Sequence, residues 1–212
     1  MNKYFLILSI LLLINFCNNK QAGETIKLPE PKKEGGMPLY EALNHRKTTR
    51  EYNESAGISQ ELLSQALWSC YGYAEDNHRT VPSAKGWYPY IIYVFTKDGV
   101  YKYNPEKHEL LVLFDGDYRD VTGTQTEVVT KAAVNLLFIS DLRKESKITD
   151  DDLKRLASKY DIGHPSMNLY LFAAANNMGA VLRGNYDTDR IYNFLGLSSN
   201  DYYMTMAFSL GY

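Results

Sequence analysis

The chain has 212 residues, 45 % of them hydrophobic, and a formal net charge of −2. That length supports one domain with a sizeable core, and a charge so close to balance gives no electrostatic footprint for nucleic acid. Its 2 cysteines and 4 histidines show no CxxC and no metal-ligand spacing, which argues against a metal centre or a disulfide framework.

Residues 1–3 carry one positive charge and residues 4–16 are almost wholly apolar. That run has the length of a signal-peptide core and is short for a membrane span. Cys17 stands at the junction with a polar run, as a bacterial lipoprotein acceptor would, although Phe16 occupies a place where a small residue is usual. A cleaved signal with an incidental Cys17 is the other reading. Both predict export to the bacterial envelope, with membrane contact only through an anchor at Cys17. Residues 18–36 are rich in Lys, Glu, Gly and Pro, which predicts a flexible tether ahead of a domain over 37–212.

Within the domain, Leu39, Ala42 and Leu43 have helical spacing and put Arg46 at a helix end. Ser59 is a good N-cap for a helix whose apolar face is Leu62, Leu63, Ala66, Leu67 and Cys70, with Gly72 to end it. Cys70 reads as a buried small hydrophobe. Strands at 90–95, 100–103 and 108–114, joined at Lys97-Asp98-Gly99 and Asn104-Pro105, form an antiparallel meander. A helix over 127–133 delivers the continuous apolar run 134–139, expected as a central strand buried on both faces. Thr149 is the expected cap of a helix over 150–159 whose charges read as a solvated face. A helix over 166–178 follows, with Met167, Tyr170, Leu171, Ala174, Ala175 and Met178 on one broad face; its Ala173-Ala174-Ala175 run permits close approach of another helix. A strand at 179–184, a helix at 189–195 and a strand at 204–210 complete an α+β pattern. It predicts a mixed, mainly antiparallel sheet sandwiched by helices.

Two segments carry chemistry. Residues 45–50 hold the cations Arg46, Lys47 and Arg50 and the hydroxyls of Thr48 and Thr49, the equipment a phosphate wants. The same residues also read as a solvated basic loop at a helix C-terminus. Pro82, Ser83, Ala84, Lys85 and Gly86 form a turn of mostly small residues that lets backbone approach a flat ligand, or an ordinary turn.

Four segments in order resemble the nitroreductase family over residues 39–212. They are Arg46-Lys47-Thr48-Thr49-Arg50, the turn at 82–89, the hairpin at 99–110 and the helix from Asn168 to Gly179. The similarity is closest to the branch with thiazoline- and oxazoline-oxidising dehydrogenases of peptide biosynthesis. The resemblance implies FMN bound at a homodimer interface. It implies Arg46 and Thr48 on the phosphate and ribityl chain, with Lys47 and Arg50 adding charge. It implies Pro82, Ser83, Ala84 and Lys85 along the isoalloxazine ring, and Arg183 and Gly184 in the loop whose backbone faces the flavin N5 edge. Three departures stand out. Gly86 and Tyr88 replace the family's Asn and Gln, so Trp87 and Tyr88 are expected to line the pocket by stacking. The chain ends at Leu210-Gly211-Tyr212 where many members carry a cation. Export is unusual for the family and leaves the electron donor open. The implied activity is ping-pong hydride transfer to or from a small aromatic, quinone, nitro or heterocyclic peptide substrate, with no catalytic side chain named. The alternative is a non-catalytic envelope binding module that keeps the fold and has lost FMN.

Overall fold

The computed structural model describes residues 21–75, 78–144 and 146–212. The apolar segment and Cys17 lie outside the described residues. The core element is one seven-stranded sheet built from β1 (Thr25–Lys27), β2 (Tyr90–Thr96), β3 (Gly99–Asn104), β4 (Glu109–Asp115), β5 (Val134–Asp141), β6 (Gly179–Arg183) and β7 (Tyr202–Gly211). The order is β1-β4-β3-β2-β5-β7-β6. Every neighbouring pair of these strands is antiparallel, which fulfils the expected α+β fold with a mainly antiparallel sheet between helices. The meander β2-β3-β4 forms as its turns predict.

β5 is buried from Val134 to Ser140 because it lies between β2 and β7 with helices on both faces. Period-two alternation sends Leu136 and Phe138 to one face and Leu137 and Ile139 to the other. On the first face α2 (Gln60–Tyr71) and α5 (Gly163–Ala175) bring Ala66, Leu67, Leu169 and Phe172 to the core. On the second, α6 (Thr188–Leu195) brings Ile191 and Tyr192. Cys70 is fully buried in the first core, where burial pushes its thiol well above the usual range.

Helix ends follow local chemistry. α1 (Leu39–His45) stops before Arg46, and Ser59 Oγ accepts from the Leu62 N–H at 3.2 Å to cap α2. α3 (Thr126–Lys131) is shorter than its pattern, since Ala132 is already extended and leads into β5. α4 (Asp151–Asp161) is capped by Asp150 rather than Thr149; the Asp150 carboxylate accepts from the Leu153 N–H at 2.8 Å and also complements the helix dipole.

Two helix faces differ from expectation. α4 turns polar groups inward: Ser158 and Asp161 are buried, and Lys154 Nζ donates to the Leu142 carbonyl at 2.6 Å. Its apolar stripe of Leu153, Leu156 and Tyr160 faces solvent. The cause is the polar patch beneath, where Ser140, Ser158 and Thr205 hydroxyls bond one another. α5 begins at Gly163 and ends at Ala175; it buries Leu169, Phe172 and Ala173 together with Ala174, leaves Tyr170, Leu171 and Ala175 half-buried, and exposes Met167 of the expected face. A helix apolar on most sides lets its neighbours choose the face. Ala173 is accordingly spent on packing within the chain.

Part of the stretch read as a tether is built into the fold. β1 pairs with β4, Leu28 is buried, and the Lys32 N–H donates to Gln65 Oε1 at 2.8 Å. A hydrogen-bond chain fastens it. Tyr103 O–H donates to His108 Nδ1 at 2.9 Å, His108 Nε2–H reaches Ser64 Oγ at 2.6 Å, and Ser64 donates to the Pro29 carbonyl. This direction of donation requires a neutral imidazole. Burial holds His108 below the ordinary imidazole value. The folded state therefore favours neutral His108, and its contribution is complete above about pH 6.5 and is lost as the pH falls from there through the lower folded value. The urea midpoint of the wild type should drop between pH 7 and pH 5 by more than that of His108→Asn, with equal drops counting against the relay.

Candidate active site at the open edge of the sheet

Among the described strands β6 has a partner on one side only, β7, so alternate backbone groups of its outer edge need other partners. The segment after α1 supplies the first: the Thr49 N–H donates to the Ala180 carbonyl at 2.9 Å. Two glycines allow this close approach. A Cβ at Gly211 would stand 2.7 Å from the Tyr52 ring, and one at Gly179 would stand 3.2 Å from Thr49. Tyr170 of α5 supplies the second partner, its hydroxyl accepting from the Leu182 N–H at 2.9 Å and from Thr48 Oγ1 at 3.3 Å. Arg46 lies over the same Tyr170 ring, 5.6 Å from its centroid. Gly184 follows directly on the end of β6. Gly184 is exposed, and a Cβ there would meet only Met206 Sδ at 3.9 Å.

The structure thus brings Arg46, Thr48 and Gly184 to one edge and leaves Arg50 exposed beside them. It does not bring Lys47 there. Lys47 lines a separate cavity of about 430 Å³ with His45, Thr49, Glu51 and Tyr212. The chain after α1 is extended, and alternate residues point to opposite sides. The C-terminal Tyr212 falls on the Lys47 side.

The turn at Pro82, Ser83, Ala84 and Lys85 is held from a different direction. Asp161, buried at the end of α4, accepts from Ser83 Oγ at 2.6 Å and from the Ala84 N–H at 3.0 Å. Ser83 Oγ in turn accepts from the Tyr88 N–H at 2.8 Å. Lys85, Gly86 and Tyr88 all have positive φ, at 55°, 69° and 49°. Two of these are side-chain-bearing residues, so the turn stores strain that the carboxylate must hold. Trp87 is buried and donates to the Lys144 carbonyl, so it is wall rather than pocket lining. Tyr88 is half-buried and meets Tyr71 edge-on at 6.3 Å, while the Arg79 guanidinium stacks between Tyr71, Tyr73 and Tyr88.

Arg183 closes β6 paired with Ala207 of β7, and its side chain runs into the interior. Nε donates to Ser209 Oγ at 2.8 Å, Nη1 to the Thr122 carbonyl at 3.0 Å, and Nη2 to Asn135 Oδ1 at 3.2 Å. Burial lowers its pKa to about 10, which still leaves it charged near neutrality. Sequence reasoning missed Tyr170 and Asp161 as site residues. Tyr170 was legible only as a polar tip on an apolar helix, and Asp161 was masked by a helix that looked solvated.

The nitroreductase family profile matches residues 43–212. The chain belongs to the nitroreductase family. A candidate nitroreductase of Methanocaldococcus jannaschii is 29 % identical over 183 residues, covering 82 % of this chain and 91 % of that protein. Among solved structures, a candidate nitroreductase of Ralstonia eutropha superposes with a TM-score of 0.79 at 29 % identity, over 88 % of each chain. A Desulfovibrio desulfuricans candidate nitroreductase in complex with FMN gives 0.60 at 18 %, over 84 % of this chain and 87 % of that one. A chain of the Escherichia coli microcin synthetase McbBCD complex gives 0.66 at 15 %, over 99 % and 84 %. The last two show the shared fold.

In this nitroreductase-family chain the edge suits an FMN by its donor set. Arg46, Arg50 and Thr48 are cations and a hydroxyl suited to phosphate and polyol oxygens, and the Gly184 N–H is a donor suited to a ring acceptor. Asp161→Asn should lower stability by about 2 kcal/mol, because a single amide oxygen replaces two charged acceptors. Urea denaturation checks this, and an unchanged midpoint would show that the turn holds itself.

Proposed function

We propose that this chain is an FMN-dependent oxidoreductase working by ping-pong hydride transfer. The single observation that carries this reading is the open edge of β6, where Arg46 and Thr48 gather on Tyr170 and the exposed Gly184 follows the strand. The FMN held by the Desulfovibrio desulfuricans neighbour supports it. Bound FMN would supply the hydride chemistry. Arg46, Arg50 and Thr48 would hold its phosphate and ribityl oxygens, and the Gly184 N–H would orient the ring. The substrate class is a small aromatic, quinone, nitro or heterocyclic peptide compound; the likeness to a chain of the microcin synthetase complex favours keeping the last.

The reading includes a homodimer. Asp161 and Tyr170 are nine residues apart on the nearly continuous α4–α5 pair, joined by the helical Ile162. Nine residues advance about 13 Å and half a revolution beyond two turns, so the two residues lie on roughly opposite sides of the helix. The Ser83 turn, bonded to Asp161, and the Thr48 edge, bonded to Tyr170, are therefore separated by α5 within one protomer. A second copy related by two-fold symmetry would set the turn of one against the edge of the other. The exposed apolar side chains of α1 (Leu39, Tyr40, Leu43) and α4 give such a contact apolar area to bury. Export to the envelope belongs to the same reading and rests on residues 4–16 alone.

The deciding experiment is an absorbance spectrum of the purified full-length chain before and after adding FMN. We expect a bound-flavin spectrum that bleaches with reductant, and a 10- to 100-fold loss of FMN affinity in Arg46→Ala, the scale of one lost charge-assisted bond. Colourless protein that ignores FMN would favour the binding-module alternative. Sedimentation at micromolar concentration should give twice the protomer mass, and a monomer that still binds FMN tightly would remove the shared-site argument.

A further inference from the structure

Arg183 and Arg119 are the two buried arginines among the described residues, and they are treated differently. Both are almost inaccessible, at 4 % and 3 % exposure. Arg119 forms a two-pronged pair with Asp117, at 2.9 and 2.7 Å. Arg183 bonds only neutral groups: Ser209, Asn135, and the carbonyl and hydroxyl of Thr122. Room has been made for it, since a Cβ at Gly123 would stand 2.3 Å from its Nη1.

Among the described residues, the elements packed around Arg183 supply no unpaired negative charge. β5 offers Asn135 and β7 offers Ser209. The turn from Arg119 to Thr122 offers Asp120, but that carboxylate pairs with Arg190. From the loop after α1, Tyr52 is within electrostatic reach, yet burial pushes its phenol far above the usual range and keeps it neutral. Arg50 on the same loop adds positive charge. Burying a cation without a counter-ion is costly, and a carboxylate at any of these positions would relieve it.

We propose that the missing counter-charge is the ligand, and that Arg183 is a fixed cation which selectively stabilises the reduced, anionic form of a flavin bound beside Gly184. On reduction two electrons and one proton enter the ring system, which gains one negative charge. Arg183 need not touch the ring to lower the energy of that charge, because its own bonds fix the guanidinium and a fixed cation acts across the width of β6. The inference rests on the FMN reading above and deepens it.

The test uses the full-length chain loaded with FMN and titrated with dithionite against a reference dye over a range of pH. The quantity read is the pH below which a second proton accompanies the two electrons. In Arg183→Gln this crossover should rise by about one unit, the order of a single charge acting at an effective dielectric near 20. Asn135→Asp keeps Arg183 and hands it a carboxylate, so it should raise the crossover in the same direction and decides the matter if Arg183→Gln fails to fold. An unchanged crossover in a variant that still binds FMN overturns the role of Arg183 and leaves the FMN reading standing. Wild-type chain that takes up no FMN overturns both.

Discussion

An edge strand cannot leave its outward N–H and C=O groups unpartnered when the rest of the fold closes over it, and β6 is such a strand. The arrangement around it follows from that demand. Thr49 meets the Ala180 carbonyl, Tyr170 meets the Leu182 N–H, and the two together seat the basic segment and the long helix on the same line of backbone. Gly184 comes next after the strand, exposed and with no side chain to obstruct an approach. The candidate surface is the unfinished end of a hydrogen-bond ladder.

The elements that could be read from the sequence are those whose local chemistry decides them. The 134–139 run had too few polar positions to face water, and it became the buried β5. Ser59 and Gly72 bounded α2 because a hydroxyl and a glycine do that work wherever they sit. The orientation of α4 and α5 was not legible, because it depends on what lies beneath. Hydroxyls of β5 and β7 draw the polar side of α4 inward, and an all-round apolar helix gives no preferred side. Residues 25–32 look like linker by composition, yet three of them complete a sheet edge and Ser64 holds the next turn through its bond to Pro29.

For the site, residue types were visible and their directions were not. Arg46, Lys47 and Thr48 read as one cluster, whereas an extended backbone splits them between two sides. Ser83 read as a ligand contact, while its hydroxyl is engaged by Asp161, 78 residues away in sequence. Arg183 read as backbone alone. That its side chain lies in the interior with only neutral partners is a matter of which residues β5, β7 and the 119–122 turn place around it, and no local pattern encodes that.

The two ends of the sheet have different tasks. The chain enters the fold at β1, the first strand in the order, and the candidate edge belongs to β6, the last. Six inter-strand steps separate them, about 29 Å at the usual spacing. Anything that grips the described chain at β1 therefore holds it at the margin farthest from the candidate edge. The breadth of the sheet is a built-in stand-off that leaves the candidate edge clear of whatever lies against β1.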